Sequence, residues 1–135
     1  MIAFNVITAD DAARRLAHMP GNPKWDTTDG MAAITEIIGG GLPLLVVDGA
    51  EELAVVVIDL DKYENGRELV VRVAHQLAKR GDLTETVLPE IVRRFGGGCN
   101  SVSMRTRRPG LVAKLQRAGF SQAAVIMRKE INVQE

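Results

Sequence analysis

At 135 residues the chain is long enough to bury one core without disulfide or metal staples, and a single domain over 1–135 is expected. Seventeen basic residues balance seventeen acidic ones, so no global field steers the protein toward nucleic acid or an anionic membrane. A lone cysteine, Cys99, excludes an internal disulfide and offers no metal-ligand cluster, and no metal is expected.

Other classes fall away on local grounds. The longest apolar run, 53–58, is far too short to span a bilayer. Residues 1–10 lack a basic start and an apolar core, so no secretory signal is expected and the cytoplasm is the default. The aromatic residues are Phe4, Trp25, Tyr63, Phe95 and Phe120, too few for recognition of single strands by stacking.

Along the chain, residues 2–7 alternate as a first strand. Thr8 is a natural N-cap with Asp11 three residues on, and Ala9, Ala12, Ala13, Leu16 and Met19 follow helical spacing up to Pro20-Gly21-Asn22-Pro23. His18, near that helix's C-terminus, suits the helix dipole. A polar loop over 24–29 leads to a second helix marked by Met31, Ile34, Ile37 and Ile38, ending at Gly39-Gly40-Gly41. Strands over 42–47, 52–60 and 67–74 follow. Asp48-Gly49 and Asn65-Gly66 join them, the turn dipeptides that tolerate positive φ, and an antiparallel meander is predicted.

The period then changes. Val87, Leu88, Ile91, Val92 and Phe95 share a helical face that stops at Gly96-Gly97-Gly98. Pro89 either sits in that helix's first turn or kinks a longer one. Residues 99–106 alternate as a strand. Pro109 opens a helix with Leu111, Val112 and Leu115 inward and Gly119 at its end, and 120–131 reads as a last strand. Strand, loop, helix and strand from 67 to 106 make a parallel pair with a polar mouth, a common place for a phosphate-bearing ligand.

Several residues at that mouth have chemistry to offer, and each has a plainer alternative. His75 can act as a general base near neutral pH, or be a hydrogen-bonded structural residue. Asp59, Asp61 and Glu64 can accept an amine proton through water, or cap the Asn65-Gly66 hairpin. Thr106-Arg107-Arg108 before a helix start can bind phosphate, or pair with a neighbouring carboxylate. Cys99 reads as a small buried hydrophobe or a nucleophile, and Trp25 as a pocket wall or a fastening for its loop.

The order β-α-α-β-β-β-α-β-α-β, with Gln76-Leu77-Ala78-Lys79-Arg80-Gly81 after the fourth strand, resembles the GCN5-related N-acetyltransferases (GNAT) over about 130 residues. The resemblance implies an α/β fold with a mixed sheet, and acetyl-CoA as co-substrate. It implies that Val71, Arg72 and Val73 hold the pantetheine arm, and that Gln76, Lys79, Arg80, Gly81 and Asp82 hold the pyrophosphate. In that family the loop reads Gln or Arg, two residues, Gly, one residue, Gly or Ala. Gln76 and Gly81 match, whereas Lys79 stands at the first glycine and Asp82 brings negative charge to the helix start. The family's thiolate-protonating Tyr aligns with Leu115, counted back from Gly119-Phe120. His75 and Asp61 are the candidate catalytic residues, and the acceptor is an unspecified amine.

Thr106-Arg107-Arg108-Pro109-Gly110, Ala118-Gly119-Phe120 and Leu88-Pro89-Glu90-Ile91 together resemble small acetyltransferase-like proteins of tailed phages, some of them particle components. That resemblance implies a second reading: a non-catalytic phage protein in particle assembly or host-protein binding, located in the host cytoplasm or virion. A homo-oligomer is compatible with either reading, and neither involves nucleic acid or membrane.

Overall fold

Two tight turns organise the molecule. Asp-Gly and Asn-Gly reverse the chain between runs of Val, Leu and Ile, and the runs pair as an antiparallel meander. In the computed structural model, which describes residues 1–17 and 25–131, these strands are β2 (Leu42–Asp48), β3 (Glu51–Tyr63) and β4 (Gly66–Gln76). Strand β1 (Ile2–Val6) pairs antiparallel with β2, and β5 (Ser101–Met104) pairs parallel with β4, giving the sheet order β1-β2-β3-β4-β5. The helices are α1 (Ala9–Leu16), α2 (Ile34–Ile38), α3 (Leu83–Thr86), α4 (Leu88–Phe95) and α5 (Pro109–Arg117).

The long strands read as continuous apolar runs because both sheet faces are covered. Val55, Val57 and Val73 are buried on the face that carries α1 and α2, with Ala12, Leu16 and Ile38. Val56, Ile58, Leu69 and Val71 are buried on the other, with Val87, Leu88 and Ile91 from the α3–α4 segment and Leu115 from α5.

The meander and the parallel β4–β5 pair match the expectation from sequence, as does the Thr8 cap, whose hydroxyl accepts from the Asp11 N–H at 3.0 Å. Met19, His18 and Pro20-Gly21-Asn22-Pro23 lie outside the described residues. Pro89 occupies the first turn of α4, where its missing N–H costs nothing, and Val87 joins α3 to α4.

Three expectations need correcting. The second helix starts at Ile34, and Met31 is exposed. Its cause is a loop wrapped on the Asp26 carboxylate, which accepts from the Thr28 N–H and hydroxyl and the Gly30 N–H. Asp29 and Gly30 there are left-handed (φ 58° and 81°), a conformation that cannot continue into a right-handed helix. Second, β4 runs on to Gln76, so His75 lies inside the strand, opposite Val55. Third, 120–131 forms no strand. Gly119 (φ 97°) turns the chain out of α5, and 121–131 makes no backbone hydrogen bond to the described residues. Strand propensity needs a partner edge, and none meets this segment.

Candidate active site

Strands β4 and β5 pair only from Glu68–Ser101 to Val71–Met104. That end is stitched shut. The Asn100 N–H donates to the Arg67 carbonyl (2.8 Å), the Arg67 N–H donates to Asn100 Oδ1 (3.0 Å), and the Ser101 and Ser103 hydroxyls both donate to Glu68 (2.8 Å each). A Cβ at Gly66 would lie 2.6 Å from Asn100 Oδ1, so any larger residue there would push the Asn100 side chain out of this clamp.

Beyond Val71 the strands part. The β3–β4 register shifts between Val57 and Ile58, so Val57 faces Val73, Ile58 faces Val71, and Arg72 is the extra residue of a bulge. Its guanidinium reaches sideways, with Nε 3.0 Å and Nη2 2.9 Å from Asp59 Oδ2, and Nη1 donating to the Ile37 carbonyl at 3.3 Å. After β5, Arg107 Nε donates to the Asp26 carbonyl at 2.8 Å. Each strand is thus fastened toward α2 and the loop before it, instead of to its neighbour. From Arg72 to Gln76, the β4 edge that faced β5 has no ladder partner.

A cavity of about 340 Å³ fills the opening. Trp25 and His75 border it together with Val56, Ile91 and Leu111, which approach from the opposite face of the sheet. It therefore passes through the sheet where the strands diverge. A smaller polar recess of about 70 Å³ adjoins it, sharing Gln76, Thr84 and Arg108 and adding Gly81, Asp82 and Lys114.

The structure distributes the sequence-selected residues unevenly. Val71, Arg72, His75 and Gln76 border the main cavity, Gly81 and Asp82 the recess. Val73 turns its side chain into the buried α1–α2 face and has only its backbone at the open edge. Asp82 caps α3, its Oδ1 accepting from the Thr84 N–H at 3.0 Å and its Oδ2 lying 3.6 Å from Lys114 Nζ. The α3 N-terminus is therefore already matched with a carboxylate. Arg80 does not reach the cavity: Asp48 and Glu51 hold its guanidinium at 2.7 Å each. Lys79 is exposed and borders neither cavity.

The two candidate catalytic residues are far apart. Asp61 pairs with Glu68 and His75 with Val55 on the same β3–β4 ladder, a separation of roughly 23 Å along β4 at the strand rise. Asp61 accepts from the Tyr63 hydroxyl at 3.3 Å beside the hairpin, and Asp59 is committed to Arg72. His75 is half-buried at the cavity wall and has no hydrogen-bond partner among the described residues. Burial lowers its pKa from the ordinary imidazole value, favouring the neutral ring.

Trp25 serves both readings, bordering the cavity and packing on Ile34 and Ile37, with its indole N–H buried and without a partner among the described residues. Cys99 is half-buried against the core. In Thr106-Arg107-Arg108, Arg107 binds the Asp26 loop, whereas Arg108 borders both cavities. Burial raises the Asp26 carboxyl pKa, but hydrogen bonds from Thr28 and Gly30 and the charge of Arg107 outweigh it, and the net pKa lies below the ordinary value. Lys114 was not singled out in the sequence. Its signal was its place on α5, three residues after Leu111 and on the same side of the helix. Among the described residues no His, Cys, Asp and Glu cluster suits a metal, and no helix is long and apolar enough to cross a membrane.

No protein-family model and no curated protein matches the sequence. Solved structures do. A glucosamine-6-phosphate N-acetyltransferase from Arabidopsis thaliana is similar at a TM-score of 0.60 and 14% identity, over 98% of this chain and 99% of that one. AAC(6')-Iy, solved in complex with the bisubstrate analog CoA-S-monomethyl-acetylneamine, is similar at 0.59 and 15%, over 98% and 99%. A transcriptional regulator from Bacillus halodurans C-125 is similar at 0.61 and 14%, over 97% and 100%. The chain has the GNAT fold. Leu115, which the sequence resemblance sets against that family's Tyr, is buried in the core and offers no proton.

Proposed function

We propose that this GNAT-fold chain is an acyl-CoA-dependent N-acetyltransferase. The observation that carries the proposal is the parting of β4 and β5 around a cavity that crosses the sheet. The residues present fit the co-substrate: an unpaired β4 edge for the amides of a pantetheine arm, an apolar wall, and a polar recess at one end.

Val71, Arg72 and Val73 would hold the arm through backbone groups, as strand addition does elsewhere. Gln76, Gly81, Arg108 and Lys114 would receive the pyrophosphate, the two cations replacing the helix N-terminus that Asp82 has capped. When bound, acetyl-CoA supplies an activated thioester carbonyl. His75, whose burial favours the neutral ring and whose imidazole has no partner among the described residues, would take the proton of an attacking amine. Trp25 borders the acceptor side and can donate its indole N–H. Leu115, set by the resemblance at the Tyr position, has no proton to give, so a leaving thiol would have to be protonated by solvent.

A second reading draws support from the same residues. Asp82 on α3, Arg80 held by Asp48 and Glu51, and Leu115 at the Tyr position all suit a non-catalytic protein of this fold, acting in phage particle assembly or host-protein binding. Calorimetric titration with acetyl-CoA separates the two. Saturable binding that is lost in Ala74→Trp, where an indole fills the opening, supports the enzyme. Absence of binding in the wild type at millimolar acetyl-CoA favours the non-catalytic protein.

A further inference from the structure

Among the described residues, no carboxylate borders the main cavity, whose ionisable side chains are Arg72, His75, Arg105 and Arg108. The carboxylates around it are committed elsewhere. Asp59 holds Arg72, Asp26 is wrapped by Thr28 and Gly30, Glu68 accepts from Ser101 and Ser103, and Asp82 caps α3. A second ammonium on an entering amine would meet like charge and no counter-ion. The wall offers donors instead. Arg105 follows Met104, the last residue of β5 to pair with β4, so it stands where the strands part, and no carboxylate pairs with it among the described residues. The hydroxyl of Thr106 accepts from the Arg108 N–H at 3.0 Å, leaving its own proton to give. Trp25 borders the same cavity, and its indole N–H, a donor only, is buried without a partner among the described residues. A buried donor left unpaired is costly.

We propose that the acceptor is a small amine carrying an anionic group, a carboxylate or a phosphate, which Arg105 binds with Thr106 and the Trp25 indole N–H as further donors. This inference rests on the acyltransferase reading and names its substrate class. Arg108 and Lys114 serve the pyrophosphate at the recess, and Asp59 neutralises Arg72, so Arg105 is the cation left for the acceptor. Its guanidinium fork matches either anion with two parallel hydrogen bonds. In the transfer the amine nitrogen bonds to the acyl carbon as the carbon–sulfur bond breaks. The amine proton passes to His75, and solvent supplies the proton for the sulfur.

Trp25 is the only tryptophan of the chain, so its indole N–H gives a single NMR signal at the site. The full chain is titrated with β-alanine, phosphoethanolamine, ethanolamine and ethylenediamine, which share one aminoethyl group and differ in the charge at its end. The expected result is a saturable indole shift with an anionic probe, about tenfold or more tighter than with ethanolamine or ethylenediamine. Whether β-alanine or phosphoethanolamine binds tighter identifies the anion. Arg105→Met should reduce that probe to the level of ethanolamine while keeping the wild-type circular dichroism, and Arg105→Lys should restore part of the preference. Equal or tighter binding of ethanolamine or ethylenediamine overturns the proposal. So does an indole that no probe shifts, and so does a preference that Arg105→Met leaves intact. Calorimetry with acetyl-CoA on the same sample separates the two levels. Failure to bind acetyl-CoA overturns the acyltransferase reading and this one with it, whereas acetyl-CoA binding without a preference for the anionic probes overturns this one alone.

Discussion

Two titratable side chains in and beside the opening have pKa values shifted by their surroundings. Burial penalises the charged form of His75 and lowers its pKa, and no described group hydrogen-bonds its imidazole. His75→Ala should lower the transfer rate by about 10²–10⁴-fold with acetyl-CoA affinity unchanged, read by comparing kcat with a binding isotherm. The rate should fall with acidity through a pKa below the ordinary imidazole value and stay flat above it. The linked stability has the same sign: a lowered folded pKa contributes stability above the unfolded value, lost as pH falls toward the folded one. Asp26 behaves likewise in the acid range. Its depressed pKa makes the loop most stable above the ordinary carboxyl value, and stability is lost as pH falls through the folded value. Asp26→Asn should flatten that acid limb in urea titrations at successive pH values.

The β4–β5 pair works as a fork whose closed end is stitched and whose tines are held apart. Gly66→Ala would push a Cβ to 2.6 Å from the Asn100 carboxamide, and overpacking of this kind costs about 1–3 kcal/mol, measurable by denaturant unfolding. Arg72→Leu releases β4 from Asp59 and the Ile37 carbonyl, and should weaken acetyl-CoA binding more than it lowers Tm. This fork was half legible in the sequence. Apolar runs and Asp-Gly and Asn-Gly turns specify the meander through local physics, and the switch to helical period placed β5 parallel to β4. The bulge at Arg72 was not legible, since an extra residue in a ladder shows only in the pairing. Asp26 was equally hidden, because the loop it organises depends on hydrogen bonds to residues two and four positions away. Its neighbour Met31 then read as helical on spacing alone. Residues 120–131 read as a strand on composition, which cannot tell whether an edge is present to receive it.

Across the whole molecule, the two buried faces and the divergent strands place a cavity between β4 and the edge strand β5, with cations from α5 and its N-cap at one end and the half-buried His75 imidazole along its wall. Position in the fold was readable in the sequence, as was Arg108 within Thr106-Arg107-Arg108, whereas Lys114 was not. Lys79 is exposed and outside the recess and Asp82 caps α3, so in the proposed acyl-CoA site Arg108 and Lys114 would supply the positive charge. Arg108→Ala/Lys114→Ala should weaken acetyl-CoA binding by tenfold or more in order of magnitude, with a smaller effect at high salt. The central claim is that the fork receives acyl-CoA, and an amide-resolved NMR titration of the wild-type chain with acetyl-CoA tests it most directly. Saturable shifts at micromolar ligand, concentrated in 71–76 and 104–108, are expected. No shift at millimolar ligand, or shifts confined to other parts of the sheet, would contradict it.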